Sequence, residues 1–157
     1  MVIRSLIPGD KPKIRRIVEQ MGTFNKEEIR VAMELLYEAL SYPERQDYYV
    51  RCAVDELGSL AGYICFGPIP MTDGCYDLYW IVVDQQFSRQ GVGGKLLADM
   101  EDFVVKKEAR RIYVDTSSTP GYRAARAFYE KHGYRVACVL DSFYREGDDK
   151  MIFVKEV

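Results

Sequence analysis

Three glycines within four residues, Gly91, Gly93 and Gly94, carry the strongest chemical signal in the chain. They follow a β-forming run and a polar loop, in the segment Val83-Asp84-Gln85-Gln86-Phe87-Ser88-Arg89-Gln90-Gly91-Val92-Gly93-Gly94-Lys95-Leu96-Leu97, and an amphipathic helix follows them. Glycine weakens a helix start, so its clustering there indicates that bare backbone is needed. Exposed N–H groups at the positive end of a helix dipole bind anions, phosphates above all. Arg89 and Lys95 add positive charge to this loop. Two phosphate-binding patterns do not fit. A P-loop needs G-x-x-x-x-G-K-[ST], but Arg89 stands at its first glycine and Leu96 follows Gly94-Lys95. A dinucleotide fingerprint, G-x-G-x-x-G, starts at Gly91-Val92-Gly93 and fails at Leu96.

The rest of the composition narrows the classes. The 157 residues suit one domain, 1–157, with a core of its own. Twenty-two basic and 24 acidic residues give a net charge of −2, which argues against general nucleic-acid binding. The longest uncharged run, Leu57 to Thr72, is 16 residues long and is broken by glycines and prolines, so no membrane span is expected. The first residues, Met1-Val2-Ile3-Arg4-Ser5, lack an apolar signal segment. Cys52, Cys65, Cys75 and Cys138 show no C-x-x-C spacing and read as free thiols of a cytoplasmic protein. With His132 the single histidine, no metal site is expected.

The elements that must position the loop follow from periodicity. Val2 to Leu6 reads as a strand. Asp10 caps a helix carrying Ile14, Ile17, Val18 and Met21, and Gly22 ends it. Asn25 and Glu28 form a capping box for a second helix, which Pro43 stops. Tyr48 to Asp55 and Leu60 to Phe66 form a hairpin about Gly58-Ser59. Cys75 to Val83 alternates strictly, placing Cys75, Asp77, Tyr79, Ile81 and Val83 on one face and Tyr76, Leu78, Trp80 and Val82 on the other. A helix through Val92 and Val104, a strand from Arg111 to Thr116 and a helix carrying Ala124, Ala125, Phe128 and Tyr129 come next. His132 is expected at its C-terminus, facing water, beside the terminating Gly133. Tyr134 to Asp141 and Met151 to Lys155 close the chain. The order β-α-α-β-β-β-α-β-α-β-β predicts an α/β (α+β) fold with a mixed central sheet.

With these residues in place, the sequence resembles the GNAT superfamily of acetyl-CoA-dependent N-acetyltransferases. Ser88-Arg89-Gln90-Gly91-Val92-Gly93 is similar to that family's [RQ]-x-x-G-x-[GA] loop, departing only at Ser88. Tyr122 to Tyr134 is similar to its N-x-x-A-x-x-[FL]-Y-x-x-x-G-[FY] helix through Ala125, Phe128, Tyr129, Gly133 and Tyr134, with Tyr122 in the asparagine position. The resemblance implies a GNAT-like acyl-CoA N-acyltransferase fold and direct transfer of acetyl from acetyl-CoA to a primary amine in a ternary complex. It implies that loop residues Ser88, Arg89, Gln90, Gly91, Val92, Gly93, Gly94 and Lys95 hold the coenzyme A pyrophosphate. It implies that the pantetheine arm lies between Leu78–Val83 and Ile112–Thr116. An amide near Ile81 or Val82, freed by a bulge in the first of these strands, would polarise the thioester carbonyl, with Val83 also lining the cofactor. Tyr129 matches the family tyrosine that protonates the departing thiolate. The base is Asp77 acting through a water, or Tyr79, which stands where some members carry a glutamate. Arg126 either reaches a coenzyme phosphate or is a solvated helix residue. The acceptor is a small-molecule or peptide amine, and the aromatic content leaves a homodimer open. Two rivals remain: a transferase using another acyl donor, and a non-catalytic acyl-CoA-binding sensor.

Overall fold

The computed structural model describes residues 1–157. Seven strands form one sheet: β1 (Val2–Ser5), β2 (Tyr49–Val54), β3 (Leu60–Pro68), β4 (Cys75–Val83), β5 (Arg111–Ser117), β6 (Arg135–Arg145) and β7 (Asp148–Glu156), in the spatial order β1-β2-β3-β4-β5-β7-β6. Every neighbouring pair is antiparallel except β4–β5. Four helices cover it: α1 (Lys11–Met21), α2 (Lys26–Ser41), α3 (Val92–Val105) and α4 (Arg123–Lys131). The expected element order is the observed one, and the mixed α/β class with it.

The sheet divides the core in two. On one face Ile14, Ile17 and Val18 of α1 and Leu36 of α2 pack on Cys52, Tyr63, Cys65 and Val82. On the other, Val92, Leu96, Leu97, Met100 and Val104 of α3 and Tyr129 of α4 pack on Ile64, Phe66, Leu78, Ile112 and Phe153. Burial of these apolar side chains is the main stabilising term. Helix limits follow local chemistry. Gly22 ends α1 in the left-handed conformation at φ 66°. At the start of α2, Asn25 Oδ1 accepts from the Glu28 N–H at 2.8 Å while Glu28 accepts from the Asn25 N–H at 2.7 Å.

Two expectations are corrected. Asp10 precedes α1 but does not bond its amides: the buried carboxylate accepts from the Ile7 N–H and from the Arg4 guanidinium, and so ties the chain entering the helix to β1. The alternation of β4 breaks in its middle. Leu78 pairs with Phe66 and Trp80 with Cys65, leaving Tyr79 as the extra residue of a β-bulge. Tyr76 and Leu78 therefore share a core with Ile81 and Val83, whereas Tyr79, Trp80 and Val82 pack on the α1–α2 side.

The last hairpin is longer than its periodicity indicates, turning at Glu146-Gly147. Every residue of its edge strand β6 is exposed, Val139 and Phe143 included. No helix is long and apolar enough to cross a membrane.

Candidate functional site

The β4–β5 ladder has only three register pairs, Cys75–Arg111, Tyr76–Ile112 and Asp77–Tyr113. Past Asp77, where the bulge re-aims β4, the strands part. The Asp84 N–H donates to the Ala61 carbonyl at 2.9 Å, on the β3 side. Alternation sends the Val82 N–H the same way and turns those of Ile81 and Val83 toward the opening.

A groove of about 550 Å³ lies on the α3–α4 side of the opening, lined by Ile81, Val83, Ser88, Arg89, Gly91, Val92, Gly93, Gly94, Tyr129 and the neighbouring α4 residues. Arg89 and Gly91 both have positive φ, 61° and 74°, which folds the loop into a concave nest. From Arg89 to Gly94 no main-chain N–H finds an acceptor within the chain; the first α3 bond is Lys95 N–H to the Gly91 carbonyl at 3.1 Å. Free amides at a helix start are the kind of donors the glycine pattern leads one to expect for an anion. The glycines serve different ends. Gly91 takes up the left-handed turn, while a Cβ on Gly93 would lie 3.3 Å from the Phe128 ring and one on Gly94 3.1 Å from His132 Nε2. Close packing of α4 on α3 therefore fixes two of the three.

Across the opening lies a second cavity of about 760 Å³. Its walls come from the α1–α2 connection (Phe24, Glu28), the bulge (Tyr79, Trp80), β5 (Asp115, Thr116), the segment leading into α4 (Tyr122) and the last hairpin (Tyr144, Arg145, Asp148). Ile81, Ala125 and Tyr129 line both spaces, so the two meet at the bulged strand and the middle of α4. Tyr129 is buried beside Phe128, Tyr134 and Phe153, and burial alone raises its hydroxyl pKa. It stays a protonated phenol at neutral pH.

The remaining sequence candidates are dispersed. Tyr79 lines the second cavity, and burial, then Asp77 and Tyr48, raise its pKa, so it is a proton donor rather than a base at neutral pH. Asp77 is half-buried beside it. Burial, reinforced by Asp115 and opposed by Lys150, pushes its carboxyl up to about 6. The Val82 side chain is buried on the opposite side of the sheet from the groove. Gln90 is exposed, its amide on the Gln86 carbonyl at 3.3 Å, and Lys95 is exposed outside the groove. Arg126 donates to the Ser117 and Thr119 carbonyls at 2.6 and 2.9 Å, bracing the β5–α4 link instead of lining the groove.

Lys131 and His132 do line the groove, which sequence reasoning missed. The expectation that His132 faces water is corrected: its ring packs 4.4 Å from that of Phe128, and Nδ1 lies 2.9 Å from the Phe128 carbonyl. The missing Cβ of Gly94 makes room for it, a pairing visible in sequence only once α3 and α4 are known to touch. With Arg89 and Lys131 and no carboxylate, the groove is cationic, whereas the second cavity holds Glu28, Asp115 and Asp148 against Arg145.

Comparison with known proteins agrees with this fold. The sequence pattern of the acetyltransferase (GNAT) family matches residues 14–134. A GNAT-family protein from Desulfovibrio desulfuricans is 39% identical, with a TM-score of 0.95 over 99% of this chain and 98% of that one. An aminoglycoside 6'-N-acetyltransferase complexed with coenzyme A is 19% identical, with a TM-score of 0.77 over 99% and 97% of the two chains. The ribosomal-protein-S18-alanine N-acetyltransferase from Escherichia coli is 21% identical, with a TM-score of 0.75 over 99% and 93%. Those two likenesses are of fold alone. No curated protein matches the sequence. By the family pattern and the 39% identical structure, the chain belongs to the acetyltransferase (GNAT) family.

Proposed function

We propose that the protein transfers an acetyl group from acetyl-CoA to a primary amine by direct attack in a ternary complex. The observation that carries this is the meeting of two spaces of opposite charge at Ile81, Ala125 and Tyr129. A donor in one and an acceptor in the other would come together there, with no covalent enzyme intermediate.

The unpaired amides from Arg89 to Gly94 suit a pyrophosphate, and Arg89 and Lys131 add charge at the same wall. Acetyl-CoA supplies an activated thioester. Beside it, the Ile81 N–H, turned toward the opening by the strand's alternation, polarises the carbonyl oxygen; it is a better candidate than Val82, whose N–H points to β3. Tyr129, which burial keeps a protonated phenol, gives its proton to the sulfur as the C–S bond breaks and regains one from solvent when the products leave. Asp77 lines neither space and lies behind Tyr79 and Asp115, so its carboxyl, pushed up to about 6, takes the amine proton only by way of intervening water. The four free cysteines support a reducing compartment such as the cytoplasm.

Thiol release from acetyl-CoA across an amine library, alongside calorimetric titration with coenzyme A, tests the reading. Amine-dependent release is expected. Tight coenzyme A binding without release for any amine would establish a sensor instead, and release only from longer thioesters would establish another acyl donor.

A further inference from the structure

We infer that His132 is a donor-side binding residue: its Nε2 takes up a proton from solvent as a coenzyme phosphate settles on the glycine loop, and the resulting N–H donates to that phosphate. This rests on the transferase reading and names a proton-linked contact in its donor groove.

One bond fixes the tautomer. His132 Nδ1 lies 2.9 Å from the Phe128 carbonyl oxygen, which can only accept, so Nδ1 carries a proton whatever the charge of the ring. Nε2 is therefore the nitrogen that gains or loses one. It has no hydrogen-bond partner in the protein. The half-buried ring packs on Phe128, and Nε2 faces the first turn of α3, 3.1 Å from the place a Cβ on Gly94 would occupy. There the main-chain N–H groups from Arg89 to Gly94 lack acceptors within the chain. An anion held by those amides would lie on the side of the ring that Nε2 faces.

The electrostatics make the proton conditional. His132 caps the C-terminus of α4, whose last carbonyls favour a cation, and faces the N-terminus of α3, which opposes one. The charged side chains lining its groove are Arg89 from the loop and Lys131 from α4, with no carboxylate among the lining residues. On the β7 side, the Lys155 side chain approaches Gly133, and its ammonium is paired with Glu101 at 2.8 Å. A third positive charge in the groove is therefore resisted in the free protein. A phosphate on the loop offsets Arg89, Lys131 and the helix end together, and the resistance turns to attraction. Coenzyme and proton then bind with positive coupling, each strengthening the other by the same factor. Gly94 belongs to the same arrangement, because a side chain there would press on the ring.

His132 is the single histidine of the chain, so its imidazole gives one signal in histidine-selective NMR. The test follows that signal through a pH titration of the whole protein, with and without saturating coenzyme A. Coenzyme A should move the inflection upward by about one pH unit, which corresponds to about tenfold tighter proton binding. Calorimetry in buffers of different ionisation enthalpy gives the second readout. Wild type should take up more protons per coenzyme A bound near pH 7 than His132→Gln does. The coenzyme's own 3′-phosphate also titrates, but equally for both proteins, so the difference belongs to His132. The affinity advantage of wild type over His132→Gln should be severalfold larger at pH 6 than at pH 8. An inflection that coenzyme A leaves in place, or equal proton uptake by the two proteins, would overturn the inference and leave the transferase intact. Coenzyme A binding with a moved inflection but no turnover would remove the transferase and uphold the contact. If coenzyme A does not bind, the same NMR titration with inorganic pyrophosphate decides: a moved inflection upholds His132 as an anion contact, and an unmoved one removes it.

Discussion

The two spaces that meet at Tyr129 are built by different means. One wall of the groove is main chain, successive free amides in one loop shaped by positive φ at Arg89 and Gly91, and α4 closes the other side. The second cavity is assembled mainly from side chains of the α1–α2 connection, β4, β5, the entry to α4 and the last hairpin. A backbone site tolerates exchange of its side chains. A site made by distant side chains changes its ligand with each exchange, so one fold can keep its donor and vary its acceptor.

Breaking the contrast at the junction should have the largest effect. Tyr129→Phe removes the one proton source shared by both spaces and should lower kcat about 100-fold with little change in coenzyme A affinity, measured by single-turnover kinetics and calorimetry. Asp77→Asn comes next, with about a tenfold loss of kcat/KM at neutral pH and loss of the inflection near pH 6. Stability should move the other way. The folded carboxyl binds its proton more tightly than the unfolded one, so wild-type stability falls as pH rises from about 4 to about 6. Asp77→Asn should therefore melt higher than wild type at pH 8, and that gain should vanish in acid. Gly91→Val tests the backbone claim: strain at φ 74° should weaken coenzyme A binding about tenfold and spare acceptor preference. Arg89→Ala should cost only about threefold in coenzyme A affinity, because exposed charge contributes little beside the amides. A loss larger than that of Gly91→Val would show that side chains, not main chain, make the groove.

The same contrast decides what the sequence reveals. Glycines at a helix start and the Asn25–Glu28 box are local instructions, so the loop and the start of α2 were legible. The bulge was implied by the family resemblance but not by the strand's own alternation, because it is set by pairing with β3 rather than by β4 itself. One hint was present. Gly67 sits within β3, where a Cβ would lie 2.0 Å from the Asp47 carbonyl oxygen and 3.4 Å from the Tyr79 ring, and a glycine inside a strand marks a bulge or a close approach. Glu28 was legible as a cap and illegible as a cavity wall, since nothing local brings α2 near Asp148. His132 was misplaced for the same reason: its neighbour Gly94 is 38 residues away.

The short β4–β5 ladder also bears on how the molecule comes apart. Three register pairs join a four-stranded unit, β1 to β4, to a three-stranded one, β5 to β7. A molecule bridging the opening ties the halves at their weakest seam and adds its binding free energy to that of folding, about 2.7 kcal/mol at a hundredfold excess over Kd. Thermal melting thus becomes a gauge of occupancy, and amides flanking the seam should slow their exchange with solvent before those of the outer strands do.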